Sequence, residues 1–253
     1  AEAVAPGFGH SPLALPWLLL PVLIVSGMVI VAFVRPDPKQ IGMQLECYYP
    51  TYTPPPHAPT DARPTFSALN LIRQMPTRLA IVSNCAAQAN MSIVMVLTSL
   101  VLSHHGHLLA AIAFSHMFHT AGMFAFTIPL GRLADRIGRE KVMYPGVAVA
   151  LVGASLVTFT GAFWSVTLGT FLVGLGWAAA NVAATALIAD HSETVERGRA
   201  IGVNDSFAGG VSMLTAVVTG PLVEWGGLPW AGLTAVLFAA VPLVMRAATR
   251  MEK

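Results

Sequence analysis

"GRLADRIGREK", residues 131–141, places four cations (Arg132, Arg136, Arg139, Lys141) within eleven positions of an otherwise apolar chain. The whole 253-residue sequence carries only 14 Lys and Arg, so the cluster stands out against its composition. A solvated loop, a nucleic-acid patch and an anchor for anionic lipid all use such runs. Two glycines and an aspartate at fixed offsets ask for something more particular.

The surroundings narrow the choice. Apolar residues make up 55% of the chain, charged residues 10%, and mean hydropathy is +0.67. A soluble domain is about a quarter charged. So little charge cannot cover a surface that faces water, and a lipid bilayer is the natural solvent. A net charge of +2 is too small to argue for nucleic acid, and no such partner is expected. Cys47 and Cys85 lie in very different surroundings and read as free thiols. With no initiator Met and no charged segment before the first apolar run, no intact signal peptide is expected. The chain is expected to begin inside a longer protein or after processing.

A bilayer core of about 30 Å takes about 20 apolar residues in a helix. Seven stretches qualify or nearly so: 13–34, 79–102, 108–130, 142–163, 165–189, 200–223 and 228–245. Pro16, Pro21, Pro129, Pro145, Pro221 and Pro242 fall inside them, mostly near the ends, which membrane helices tolerate. Arg35, Lys39, Arg63, Arg73 and Arg78 follow the first span, and the opening run follows the third. Arg197 and Arg199 follow the fifth, and Arg246, Arg250 and Lys253 the seventh. The alternate connections, 1–12, 103–107, around 164 and 224–227, carry no Lys or Arg. This alternation predicts an outside N-terminus and a cytoplasmic C-terminus.

Residues 35–78 form the one long connection, predicted to be cytoplasmic. Its first 30 residues, 35–64, hold eight prolines and read as an extended linker. "TFSALNLIRQM" (65–75) then sets Phe66, Leu69 and Ile72/Arg73 at helical spacing, predicting a short helix on the membrane surface, with further linker as the alternative.

The run Gly131-x-x-x-Asp135-Arg136-x-Gly138-Arg139 resembles the signature loop of the major facilitator superfamily, with Glu140 in place of the usual final basic residue and Lys141 one place later. Gly131 and Gly138 suit a tight turn and close helix approach. The resemblance extends over 13–250, and "RPDP" (35–38), "ERGRAIG" (196–202) and "GP" (220–221) add to it. It implies an all-α, polytopic membrane protein: a six-helix bundle of that family, 79–253, plus one preceding transmembrane helix. Residues 1–34 would hold an external tail and a helix like the family's sixth, and 35–78 the central loop with its surface helix. The first five helices would be absent. The alternative, in which 79–245 is the first half after an extra span, sits poorly with the Pro-rich linker.

The resemblance implies secondary transport of a small solute by alternating access in a bacterial inner membrane. A proton is an open choice of coupling ion, and the missing helices or a second chain are expected partners. In the family the loop is a latch. Asp135 would face a helix end in the other half, and Arg136 or Arg139 would pair with Asp190, with Glu193 close behind and Arg197 near by. A solvated basic loop is the plainer alternative.

Polar groups inside a membrane are costly and default to function. His119 lies about 16 Å into its span at 1.5 Å per residue, near the midplane where family substrates bind. His116, His119/Thr120, Met123 and Thr127 share one helical face. Histidine can carry a proton or recognise a ligand, or can simply be a neutral ring bonded to a neighbouring helix. Asn84, Gln88 and Ser92 make a second stripe, and Trp177 with Asn181 a third. All are cavity candidates, with interhelical amide bonds an equal account. Asp205 reads as lying one turn from its helix start, complementing the dipole. Gly202/Ser206/Gly210 and Gly169/Gly174/Gly176 read as packing faces.

His104, His105 and His107 offer three ligands in a flexible loop, a poor metal site, so neither metal nor cofactor is expected. No H-E-x-x-H or G-x-S-x-G is present and no catalytic set assembles, so the chain is not expected to be an enzyme. A seven-span retinal protein would need an intramembrane lysine, whereas Lys39, Lys141 and Lys253 all lie in loops or tails. A seven-span receptor or a half-transporter working as a dimer are the remaining alternatives.

Overall fold

The computed structural model describes residues 15–37, 40–41, 44–51, 66–193 and 196–251. The expected external tail, most of the Pro-rich linker, and Lys39, Arg63 and Lys253 lie outside the described residues. The chain divides into two units, 1–64 and 65–253. In the first, α1 (Leu15–Ala32) accounts for the expected first span, with Pro21 inside it, and a helical turn follows at Leu45–Tyr48.

The second unit opens with α2 (Ala68–Arg73), whose first turn is capped by Ser67 Oγ accepting from the Asn70 N–H. The expected short helix is present, but its buried anchor is Leu71, flanked by Phe66 and Ile72, while Leu69 is exposed. Seven further helices follow: α3 (Met75–His104), α4 (Leu109–Phe124), α5 (Thr127–Ile137), α6 (Glu140–Phe159), α7 (Phe163–Asp190), α8 (Arg197–Gly226) and α9 (Leu228–Met251). With α4 and α5 counted as one span, six helices in this unit are long and apolar enough to cross a membrane. Among the described residues there is no strand, and the fold class is the expected all-α membrane bundle.

The third expected span is broken. α4 ends at Phe124, and α5 begins two residues before Pro129. Proline lacks an N–H and its ring crowds the carbonyl four residues back, here Ala125, so the chain restarts a helix at that point. α5 then runs on to Ile137, so most of the signature run is the end of a helix. Only Gly138 and Arg139 form the link to α6. Gly138 has φ +104, the backbone conformation that favours glycine. Gly131 sits in α5 at ordinary contact distance from Val182, so close approach does not explain it.

α6 and α7 form the tightest pair. A Cβ built on Gly153 would lie 2.5 Å from the Gly169 carbonyl oxygen, and one on Gly176 would lie 2.4 Å from that of Gly146. Small residues let the backbones touch, where apolar burial alone gives helices in lipid little preference for each other. Gly174 approaches the His119 carbonyl in the same way, so the Gly169/Gly174/Gly176 face is indeed a packing face. The Gly202/Ser206/Gly210 face of α8 packs on no other helix of this unit: a Cβ at Gly202 or Gly210 meets nothing within 4 Å among the described residues. Three apolar clusters fill the unit, one around Met143, Tyr144 and Ile188, one around Leu97, Val157 and Val173, and a small one at Ala87, Val147 and Ala180.

Candidate functional site

The motif and its partners gather at one end of the bundle. Arg139 Nε donates to Asp190 Oδ2 at 3.1 Å, and its Nη1 bonds Asp135 Oδ1 across one helical turn. Hydrogen bonds to Asp135 first and Asp190 second push the guanidinium's proton affinity further up, so it stays charged. This ties the end of α5 and the start of α6 to the end of α7. Of the two arginines considered for Asp190, Arg139 makes the pair, while Arg136 is exposed. Arg197 Nε donates to the Ala189 carbonyl at 3.0 Å, placing a cation on the negative end of α7. Glu193 contributes its backbone carbonyl, which accepts from the N–H groups of Glu196 and Arg197 where α8 begins. Gly131, Asp135, Arg136, Gly138 and Arg139 therefore share one structural corner, with Asp190, Glu193 and Arg197 beside it.

Glu140, the departure from the family pattern, has a partner of its own. Arg246 of α9 places Nη2 4.0 Å from Glu140 Oε2, and its guanidinium carbon stands 3.9 Å from the Tyr144 ring centroid. The sequence signal was an acid where a cation is usual, facing a chain end that carries Arg246.

The polar groups within the spans fall into separate sets. Trp177 Nε1 donates to Gln88 Oε1, joining α7 to α3. Asn84 lies one turn from Gln88 and is buried, with its Oδ1 unpaired by protein, and Asn181 lies one turn beyond Trp177, half-buried. Ser92 bonds Ser212 of α8 at 2.5 Å instead of joining its own stripe. His119 is 2% exposed and its Nδ1 lies 2.9 Å from the Thr170 carbonyl. A carbonyl only accepts, so Nδ1 carries the proton and Nε2 is the acceptor, buried and without a protein partner. His116 bonds its own helix at the Ile112 carbonyl, 2.8 Å away, with Nε2 3.4 Å from Ser99 Oγ. Thr120 on the same stripe is exposed, so the stripe is split between a packed and an open side. Thr98, whose hydroxyl lies 3.0 Å from that of Thr170, and Thr170 and Ser212 themselves carry no sequence signal, because a hydroxyl alone has no diagnostic spacing.

Asp205 lies eight residues after the start of α8, about 12 Å at 1.5 Å per residue, which is two turns in and not one. It is too far from the helix start for the dipole account, since that effect fades within the first turn. Its Oδ1 accepts from Asn204 Nδ2 at 3.0 Å, and its side chain is exposed. His105 bonds the Val101 carbonyl and His107 packs on the Phe163 ring, so the loop histidines serve different neighbours. Among the described residues no group of three or more His, Cys, Asp or Glu side chains could hold a metal.

A family model described as Major Facilitator Superfamily matches residues 79–252. The riboflavin transporter RfnT of Brucella anthropi is 28% identical over 174 residues, covering 66% of this chain and 43% of its own. The uncharacterized MFS-type transporter YdeG of Bacillus subtilis is 26% identical over 200 residues, 78% of this chain and 45% of its own. The multidrug resistance protein MdtL of Escherichia fergusonii is 31% identical over 127 residues, 49% of this chain and 32% of its own. The chain spans less than half the length of these curated relatives.

Proposed function

This chain belongs to the major facilitator superfamily, and from that premise we propose that it supplies the second half of a secondary transporter for a small solute. Residues 13–34 would be the sixth helix, 35–78 the central cytoplasmic connection, and 79–253 the six-helix half that rocks against a first half. The membrane would be a bacterial inner membrane, with the N-terminus outside and the charged end of the bundle in the cytoplasm. The Arg139 link between Asp135 and Asp190 carries this reading. It fastens three helix ends together yet leaves Asp135 66% exposed, free to meet a helix end of another half. His119, His116, Asn84, Gln88, Trp177, Asn181 and Asp205 are the proposed solute or proton groups.

Riboflavin, named for one relative, is the first solute to assay, followed by a panel of small organic cations. Flux is measured in vesicles for this chain alone and for the chain extended by five upstream spans. Flux only with the extension supports a half, whereas flux by the chain alone supports a dimer of halves. Absence of flux of every solute with the extended protein, correctly inserted, overturns the reading. Orientation is tested separately, with Cys47 and Cys85 replaced by Ser. Cysteines at Gly106 and Gly226 should label from outside, and one at Ser192 only from inside. Outside labelling of Ser192→Cys by an impermeant reagent reverses the topology.

A further inference from the structure

α8 and α9 each pack extensively on α3 but make little contact with one another. The seam between them, floored by α3, holds two apolar hollows of about 310 and 280 Å³, both bordered by Phe238. The first is walled by Ile81, Val82, Phe207 and Val241 and ends at Ile72 of α2 and at Arg78. The second continues past Ile93, Leu214 and Leu222. From Arg78 to Ile93 the floor runs for about 22 Å at 1.5 Å per residue, most of the depth of a hydrocarbon core of about 30 Å.

Arg78 at the mouth is poorly matched by protein. Its Nη2 donates to the Met75 sulfur at 2.7 Å, a weak acceptor, and its buried Nε has no hydrogen-bond partner. Among the described residues no carboxylate forms an ion pair with it. A desolvated guanidinium short of acceptors is costly, and a phosphate at its open Nη1 supplies a charge-assisted hydrogen bond. Arg73, exposed in the last turn of α2, adds a second cation nearby, and no acid lines either hollow.

We propose that the α8–α9 seam is a binding site for an anionic phospholipid, an acyl chain lying in the groove and the phosphate held by Arg78. A helix is about 10 Å across, whereas hollows of about 310 and 280 Å³ strung along about 22 Å of α3 have room for a single methylene chain. Charge decides the headgroup: two arginines without an acid favour a net negative lipid over a zwitterion, whose own cation would meet them. Basic pockets between transmembrane helices at a cytoplasmic face hold anionic headgroups for the same reason. The leaflet is the one at the arginine-rich end, independently of whether the chain transports anything.

The full chain, solubilised in detergent, is titrated with dioleoyl phosphatidylglycerol or dioleoyl phosphatidylcholine, and retained lipid is counted by native mass spectrometry. One phosphatidylglycerol should persist under conditions that strip phosphatidylcholine. Arg78→Gln should weaken that retention about tenfold, the factor carried by one charge-assisted hydrogen bond, and Arg78→Lys should restore part of it. Val241→Trp, at a position already partly open to the outside, should fill the groove and displace the lipid with Arg78 intact. Arg132→Gln, an exposed cation on α5, which packs on α6 and α7, should change nothing. Equal retention of the two lipids overturns the proposal. So does equal loss in Arg78→Gln and Arg132→Gln, which would indicate general surface charge, or full retention in Val241→Trp.

Discussion

α3 and α7 each bury 56% of their most apolar window within the bundle, whereas the α4–α5 span and α8 bury 17%. The two groups match in length, but the open spans are the less apolar, with mean hydropathy 1.3 and 1.5 against 1.7 and 1.8, the reverse of what a surface turned to lipid needs. The open faces do differ from each other. α8 exposes Gly202, Asp205, Ser206 and Gly210 beside apolar Met213 and Val217. A carboxylate two turns inside a span is expensive against hydrocarbon, and small residues on an uncovered face leave backbone reachable. Such a face suits water or another helix better than lipid. In the proposed transporter, α3, α6 and α7 are the rigid part, and α4–α5 and α8 are the flanks that meet a first half.

The largest effects should come from glycines that separate the two groups. Gly176→Ala puts a methyl 2.4 Å from the Gly146 carbonyl oxygen and 2.6 Å from the Ala150 nitrogen, both backbone. α6 and α7 would have to move apart, at a cost of about 3 kcal/mol, the upper end for overpacking. Gly202→Ala meets nothing within 4 Å and should stabilise the isolated chain by up to about 1 kcal/mol through helix propensity. Denaturant melts of the purified chain compare the two. Equal destabilisation would mean that α8 is as packed as α7.

His119 joins an open span to a closed one. His119→Ala leaves a hole in the α4–α7 contact and strips the Thr170 carbonyl of its donor, costing about 2 kcal/mol. His116→Ala, which removes a bond within its own helix, should cost less. His119→Asn keeps a donor while removing the titratable ring. In a complete transporter it should stay folded and still lose flux, or the pH dependence of flux, if His119 handles solute or proton. Normal flux at every pH in a folded His119→Asn protein leaves this residue with packing alone.

How far all this was legible in the sequence depends on the range of the signal. Span positions follow from local hydropathy, and each expected span has its helix. The break at Ala125 is also local: a proline near a span end is ordinarily tolerated, but the clash of Pro129 reaches four residues back into the helix. The depth of Asp205 is hidden from hydropathy, which puts Arg197 and Arg199 in the loop, whereas the helix starts at Arg197. The family resemblance points to Asp190 paired with Arg136 or Arg139, and the structure selects Arg139. It does not point to Arg246 over Tyr144, because nothing in the spacing of α6 and α9 brings residues a hundred positions apart together. Which buried amide or histidine is a bond and which is a site lies beyond periodicity altogether.

Asp135→Asn acts on the flank. The amide keeps the size of the side chain but loses the charge that holds Arg139 from the α5 side and that would complement a helix N-terminus. That charge is worth about 0.3–1 kcal/mol when exposed and up to about 2 when partly buried. Since 1.4 kcal/mol is about a tenfold shift between two states, transport by a complete protein should slow by up to that factor. Insertion and orientation should hold, as the cations remain. In this chain alone the substitution should be nearly silent. Unaltered flux in the complete Asp135→Asn protein returns the run to an ordinary basic helix end.

The smallest effect should lie on the packed side, where Arg246 reaches α6. Its 4.0 Å approach to Glu140 is a loose, half-exposed ion pair, worth about 0.2–1 kcal/mol at most. Its 3.9 Å stand over the Tyr144 ring is a tight cation–π contact against a buried aromatic, worth about 0.5–1 kcal/mol at an exposed site and more when desolvated. Arg246→Gln should therefore destabilise the purified chain by about 1 kcal/mol, and Glu140→Gln by less than half of that. The double variant should equal Arg246→Gln within error, because Glu140 acts through Arg246 and has no ion pair left to lose once the guanidinium is gone. High salt should erase the Glu140→Gln difference and leave that of Arg246→Gln, since screening weakens an exposed ion pair far more than a contact over a buried ring. Equal costs for the two single variants, both lost in salt, would place the energy in the ion pair, and α9 would then be held to α6 at this end by solvent-exposed charge alone.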